Sequence, residues 1–427
     1  MGARTSRVVV FFGVVFVCSF FWTQQGWAQN DTTNDVAKAQ EDGALNCMES
    51  TCRSVPTREK IIALGTGYVR GLFGGLEQGA GINGGVQFTS KEKIPNLELR
   101  ANLIGSTRLD RRIDFETLIP HVGSSKNHID AWYSYVNRDT KYFGIGPRLG
   151  RATLTDFTVE QRSTQISFTR DLATHLQGGV YSQVIDVHAS SGRRTRNPAI
   201  ENFFSGDPDT PASQWAPGLF STSLILSNGG YVLYDRRNNL EGLTRGFYLL
   251  TRAATYDGLD RENAFSDYGW NEAEVDIRGY IPLGSPRTSL ALRSRGQLKD
   301  PKGGSQIPFY DLSWVGGREY VRGYNSYRFR GNNVLMYSAE VRQTLIEKSP
   351  TRGVDAIAFA DTGQVWGDAR SLTDPEILLH RHLDRSNWHS GVGIAIQYRH
   401  TPKLAGRVDV SHSNEGYFVY MSVTRGF

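Results

Sequence analysis

The sequence predicts an all-β fold: an antiparallel transmembrane β-barrel of about sixteen strands over residues 61–427 of 427. Three observations predict it. Apolar and polar residues alternate with a period of two over many runs, each about 9–11 residues long. The connections between runs alternate between short and long. After residue 28 no apolar run approaches the roughly 20 residues of a membrane-crossing helix. Mean hydropathy is -0.40 and 21% of residues are charged, which excludes a helical membrane bundle. Barrel strands escape that exclusion because they carry apolar residues only on alternate positions.

The chain opens with Arg4 and Arg7, then the apolar run Val8–Trp22, then Gly26-Trp27-Ala28. That order predicts a signal peptide over residues 1–28, cut after Ala28. Its apolar core of about 15 residues is too short for a spanning anchor. Residues 29–60 are polar and lack a strong period, as expected of a short periplasmic N-terminal extension. They hold Cys47 and Cys52, and export to an oxidising compartment favours a disulfide between the two. A metal site would need further ligands, and none lie nearby. The 46 glycines, 19 tyrosines, 21 phenylalanines and 8 tryptophans suit turns and aromatic girdles. The formal charge of +5 includes two arginines of the signal and is otherwise scattered. No nucleic-acid partner and no cofactor are expected.

From Ile61 onward each run has two faces. Ala80, Ile82, Gly84, Val86 and Phe88 point one way, Gly81, Asn83, Gly85 and Gln87 the other. Leu99, Ala101 and Leu103 alternate with Glu98, Arg100 and Asn102; Ile113 and Phe115 alternate with Arg112, Asp114 and Glu116. Val275, Ile277 and Ile281 alternate with Glu274, Asp276 and Arg278, and Leu290 and Leu292 with Arg293 and Arg295. Val392, Ile394, Ile396 and Tyr398 alternate with Gly391, Gly393, Ala395 and Gln397. On a helix these residues would wrap around the surface instead of forming one stripe. The charged face has mixed signs, so Glu272, Glu274 and Asp276 are expected to meet Arg293 and Arg295 across a ladder. Short connections fall at 173–174, 282–287, 348–353 and 401–406; long ones fall at 189–218, 299–333 and 367–387. Short periplasmic turns and long external loops are the asymmetry of bacterial barrels.

The most specific signal lies in the long polar segment 299–333. It reads Gly316-Gly317-Arg318-Glu319-Tyr320-Val321-Arg322-Gly323-Tyr324. Five strand candidates follow, at 333–345, 354–366, 388–398, 404–412 and 417–427. On the first, Ser338, Glu340 and Arg342 share a face; the second carries Phe359-Ala360-Asp361-Thr362-Gly363. Together these residues resemble the barrel of the outer-membrane assembly superfamily, the BamA/TamA type of bacterial surface antigen. The resemblance runs over about residues 130–427, with softer matches at Tyr142-Phe143-Gly144-Ile145-Gly146-Pro147 and at Tyr234-Asp235-Arg236-Arg237. It implies that the loop folds back into the barrel lumen. There Arg322, within Val321-Arg322-Gly323-Tyr324, would be locked by Glu340 and Asp361. It further implies that the terminal row Tyr417, Val419, Met421, Val423 and Phe427 is the signal by which the barrel is itself assembled.

The function so implied is insertion of proteins into the bacterial outer membrane, or their translocation across it, by an integral barrel. Its partners would be outer-membrane lipid and client outer-membrane proteins. Residues 29–60 are far too short for the POTRA domains that precede most barrels of this superfamily. A separate periplasmic partner is expected in their place. The alternative is a passive pore, or a structural or lipid-handling barrel without insertase activity. No catalytic grouping is expected: G-x-S-x-G, H-E-x-x-H and phosphate-loop motifs are absent.

Overall fold

A computed structural model of the chain describes residues 61–64, 68–74, 76, 81–90, 96–148, 150, 153–194, 197–207, 209–211, 214–237, 245–259, 268–303, 305–349, 352–367, 383–401 and 404–422. The expected signal peptide, the extension with Cys47 and Cys52, and Val423 and Phe427 lie outside them. Period-two alternation becomes β1 (Ile61–Leu64), β2 (Val69–Gly74), β3 (Asn83–Thr89), β4 (Glu98–Ser106), β5 (Arg111–Ile119) and β6 (Asn127–Tyr142). Next come β7 (Thr155–Ala173), β8 (Leu176–Ser191), β9 (Thr222–Asp235), β10 (Gly246–Gly258), β11 (Gly269–Leu283) and β12 (Ser285–Pro301). The segment after β12 holds β13 (Ser313–Val315) and β14 (Phe329–Gly331). The chain then returns as β15 (Asn333–Ser349), β16 (Arg352–Trp366), β17 (His389–Thr401), β18 (Leu404–Ser413) and β19 (Gly416–Ser422).

Pairing is antiparallel throughout and follows chain order. β1 pairs with β2, and each later strand pairs with the next as far as β12. β12 passes directly to β15, and the succession continues to β19. The result is one seventeen-stranded sheet, consistent with a β-barrel, beside the two-stranded β13–β14. The sixteen expected strands are β2–β12 and β15–β19; the four-residue β1 is the additional one. Turns as short as Gly284 alternate with the long connections 192–221, 302–332 and 367–388.

Polarity is inverted relative to a water-soluble sheet. Arg112, Asp114 and Glu116 on β5 are buried while Phe115 between them is exposed. Glu272, Glu274 and Asp276 on β11 are buried while Val275 is exposed. Val392, Ile394, Ile396 and Tyr398 on β17 are all exposed. Membrane strands need this arrangement, since lipid takes the apolar face and the charges must find one another inside. Many do so two residues apart on their own strand: Arg100 with Glu98 (2.6 Å), Arg112 with Asp114 (2.9 Å), Arg278 with Asp276 (2.7 Å) and Arg407 with Asp409 (2.6 Å). Others cross between strands, as Arg293 to Asp276 (2.9 Å) and Arg295 to Glu274 (2.7 Å) do. These two pairs run diagonally, because Asp276 stands opposite Arg295 in the register.

Near the long loops the inner face changes character. Phe157 and Val159 on β7, Ile185 and Val187 on β8 and Trp270 on β11 pack with Ile200, Phe204, Ile307, Phe309 and Leu312 of the long connections. Tyr142 meets Phe309 edge-on at 4.8 Å and Tyr256 stacks on Trp270 at 4.4 Å. A packed apolar core therefore fills the inner side of β6–β11 at that end. Alternation alone did not announce it, because on these strand ends the apolar stripe faces inward and the polar one, Asp156, Thr158 and Glu160 on β7 and Asp186, His188 and Ser190 on β8, lies on the opposite face, the reverse of the charged-inward strands.

Candidate functional site

The segment between β12 and β15 lies against the inner face of the sheet. Its glycines make the approach possible. Gly316, Gly317 and Gly323 all take positive φ, at 114°, 90° and 105°, a region costly for other residues. Val321 is buried with Val315, Tyr324, Phe329, Val334 and Val365, an apolar patch that seats the turn.

Arg322 projects from this turn and is 3% exposed. Its Nε donates to Asp361 Oδ2 at 2.6 Å and its Nη2 to Asp361 Oδ1 at 2.7 Å, a two-pronged carboxylate contact. Nη1 donates to Glu340 Oε1 at 2.6 Å and to Asp409 Oδ1 at 3.2 Å. Nη2 also reaches Ser338 Oγ at 3.3 Å, and that hydroxyl donates to Asp361 Oδ1 at 2.5 Å. All five guanidinium N–H groups thus have acceptors. The backbone N–H of Arg322 adds a bond to Asp361 Oδ2 at 3.0 Å, and the guanidinium lies 3.5 Å from the centre of the Phe359 ring. Burial alone would lower the pKa of Arg322; the Asp361 and Glu340 carboxylates outweigh it and hold the group above its ordinary value.

Strand register explains the convergence. Ser338 on β15 stands directly opposite Asp361 on β16, and Glu340 stands opposite Phe359. All four therefore share one face within two steps of each other. Arg407 on β18 completes the cluster, donating to Glu340 Oε1 at 2.9 Å and to Asp409 Oδ1 at 2.6 Å. Charge accounts for the need. Over β15–β18 the buried or partly buried inner face holds the carboxylates Glu340, Asp355, Asp361 and Asp409. Against them stand the guanidinium groups Arg342, Arg399 and Arg407, with side chains 15%, 4% and 2% exposed. That wall is one cation short, and Arg322 supplies it.

The neighbours of Arg322 hold the last hairpin. Gly323 N donates to the Tyr420 hydroxyl at 3.0 Å, and Ser413 Oγ donates to Gly323 O at 2.5 Å. Tyr420 OH donates to Tyr324 O at 2.7 Å, and Tyr324 OH donates to Asn414 Oδ1 at 2.7 Å. On β17, Gly391 is required by contact: a Cβ there would stand 1.8 Å from the Arg322 carbonyl oxygen.

The structure thus brings Arg322, Glu340 and Asp361 together and seats Val321, Gly323 and Tyr324 around them. The described members of the terminal row lie elsewhere, on the outer face: Tyr417, Val419 and Met421 are 79%, 60% and 77% exposed. Arg407, Asp409, Tyr420 and Gly391 were not singled out by the sequence. The first two had a readable signal, since they alternate with Val408 and Val410. Asp186, His188 and Ser190 share one face of β8; Asp186 accepts from Arg162 at 3.1 Å and His188 meets Thr222 at 3.3 Å.

Comparison with known proteins gives a consistent picture. The sequence model of the Omp85 superfamily domain matches residues 78–407. Among solved structures, BamA from Haemophilus ducreyi lacking POTRA domains 1–3 is similar at 14% identity, over 93% of this chain and 80% of that one, with a TM-score of 0.59. CdiB from Escherichia coli is similar at 13% identity, over 94% of this chain and 72% of that one, with a TM-score of 0.55. At such identities these likenesses speak for the fold.

Proposed function

The chain belongs to the Omp85 superfamily, and on that premise we propose that it is an integral outer-membrane barrel that helps client proteins insert into that membrane or cross it. In this reading the sheet closes between its first and last strands, and the junction is a weak seam. A strand released there presents unpaired N–H and C=O groups on which a client edge can form by β-augmentation.

The observation that carries the reading is the reach of the loop. Arg322 bonds to β15, β16 and β18, while Gly323 and Tyr324 bond to β19 and to the turn before it. The loop therefore holds the last hairpin from inside, and its arginine acts as a lock on the wall that borders the seam. The apolar core on the inner side of β6–β11 supports this reading over a passive pore, because it fills space that a conducting channel would leave to water. Outer-membrane lipid covers the apolar outer face. Client outer-membrane proteins would pair at the seam, and a separate periplasmic protein would deliver them.

The test is reconstitution of the full chain in lipid vesicles, with folding of a urea-denatured outer-membrane protein and release of trapped dye followed side by side. Faster client folding without matching dye release is expected. Dye release with unchanged client folding would replace this reading with the pore.

A further inference from the structure

Beyond the Val321–Tyr324 turn the chain continues Tyr327-Arg328-Phe329-Arg330-Gly331, with arginines and aromatics alternating. Both arginines are buried. Arg328 Nε donates to Glu415 Oε1 at 2.7 Å, in the turn between β18 and β19. Its guanidinium lies over the rings of Phe143 at 4.8 Å and Phe329 at 4.5 Å. Phe143 belongs to the connection after β6, and Phe329 stacks on His389 at the start of β17 with ring centres 3.5 Å apart. Arg330 Nη1 donates to Phe309 O at 2.9 Å, and the Arg330 carbonyl accepts from Gly146 N at 2.7 Å. Its guanidinium lies over Tyr327 at 4.9 Å and Tyr142 at 5.6 Å. Around this strip, Lys141 Nζ donates to Asn325 Oδ1 at 3.2 Å, and Arg148 Nε donates to Asn387 Oδ1 at 2.8 Å.

The partners come from separate parts of the strand succession. β17–β19 are its last members, whereas β6 is the sixth. The strip thus spans from the last hairpin to the end of β6 and the connection after it, on the inner side, beside the long loops. Its partners differ from those of Arg322. One bond is a buried charge-assisted bond to the tip of a hairpin, and the rest are hydrogen bonds, cation–π contacts and ring stacking between loops and strand ends. Arg322 fixes the middle of the β15–β18 wall; Arg328 fixes the end of the last hairpin.

We propose that Arg328 and Arg330 form a second fastening, which straps the β18–β19 turn to the connection after β6 and limits how far the first and last strands separate at the long-loop end. Two fastenings at different heights make opening asymmetric. The strand ends nearest the short turns can part while the strap still holds, and full separation requires the strap to release as well. The inference rests on the barrel reading but not on client insertion, since the distance between these two elements can be measured with no client present.

The experiment places spin labels at Gly150→Cys and His412→Cys in the full chain, with native cysteines replaced by serine, in lipid nanodiscs. Pulsed electron-spin distance measurement then reads the spread between the two elements. The parent should give one narrow distribution. Glu415→Gln, which keeps the volume and removes the charge, should raise the long-distance population about tenfold, equivalent to roughly 1.4 kcal/mol. Arg328→Glu should do the same or more, and Arg328→Glu combined with Glu415→Arg should restore much of the narrow peak. Heat-modifiable migration on gels identifies folded variants; should the charge reversal not fold, Glu415→Gln and the swapped pair decide. Narrow distributions that Glu415→Gln and Arg328→Glu leave unchanged would overturn the strap. So would a broad distribution that the swapped pair does nothing to narrow.

Discussion

Arg322 is the residue on which the inner face depends, because its guanidinium satisfies three carboxylates and a hydroxyl at once. Removing one partner of a buried pair costs about 3–5 kcal/mol, and contact with water inside the sheet lowers that figure. Arg322→Ala is therefore expected to expose residues 316–327 to added protease and to lower the temperature at which heat-modifiable migration is lost. Arg322→Lys should recover only part of the difference, since an ammonium cannot make the two-pronged contact with Asp361 and still reach Glu340 and Asp409. Equal protease resistance in all three proteins would remove the lock. Gly391→Ala tests the same site without touching a charge. The added methyl would collide with the Arg322 carbonyl at 1.8 Å, so the loop must lift, and protease sensitivity should approach that of Arg322→Ala. An unchanged cleavage pattern would mean that β17 yields instead. Much of this site was legible in the chain, because Arg322, Glu340 and Asp361 stand in recognisable local contexts. Gly391 and Tyr420 were not, for their roles arise only when the loop meets strands about 70 and 100 residues further along.

At the scale of elements, strands were readable wherever the inner face is charged. On β5 and β11 each apolar outward residue sits between ionisable inward ones, and the period of two is unmistakable. Legibility failed at the loop-proximal ends of β7 and β8, where Phe157, Val159, Ile185 and Val187 are apolar and inward. Alternation persists there but is inverted, since the opposite face carries Asp156, Thr158, Glu160, Asp186 and His188; a reading that assigns every apolar stripe to the outer face misses the internal core. The last strand gives the clearest elemental prediction. Val419 faces outward on β19 and is 60% exposed. Val419→Arg would place a guanidinium in lipid, at about 2–4 kcal/mol if near the bilayer midplane. The heat-modifiable, membrane-assembled fraction should fall sharply, whereas Phe418→Tyr next to it should assemble normally. Equal assembly of Val419→Arg and the parent would place β19 away from lipid.

For the whole molecule, the internal apolar core and the fastened loop together predict low permeability. In planar bilayers the intact chain should pass little current, and replacing residues 305–331 with a short Gly-Ser linker should give stable, large conductance steps. Comparable steps from the parent would contradict a sealed interior. The charge balance of the β15–β18 wall has a further consequence, for the order of events during synthesis. Before the loop seats, that wall holds four carboxylates and three guanidinium groups. An unfinished molecule thus carries a negative charge with no counterpart, and Ile307 and Phe309 have yet to find the core. Loop docking erases both marks in one step. Completion is thereby written into the chemistry of the inner wall.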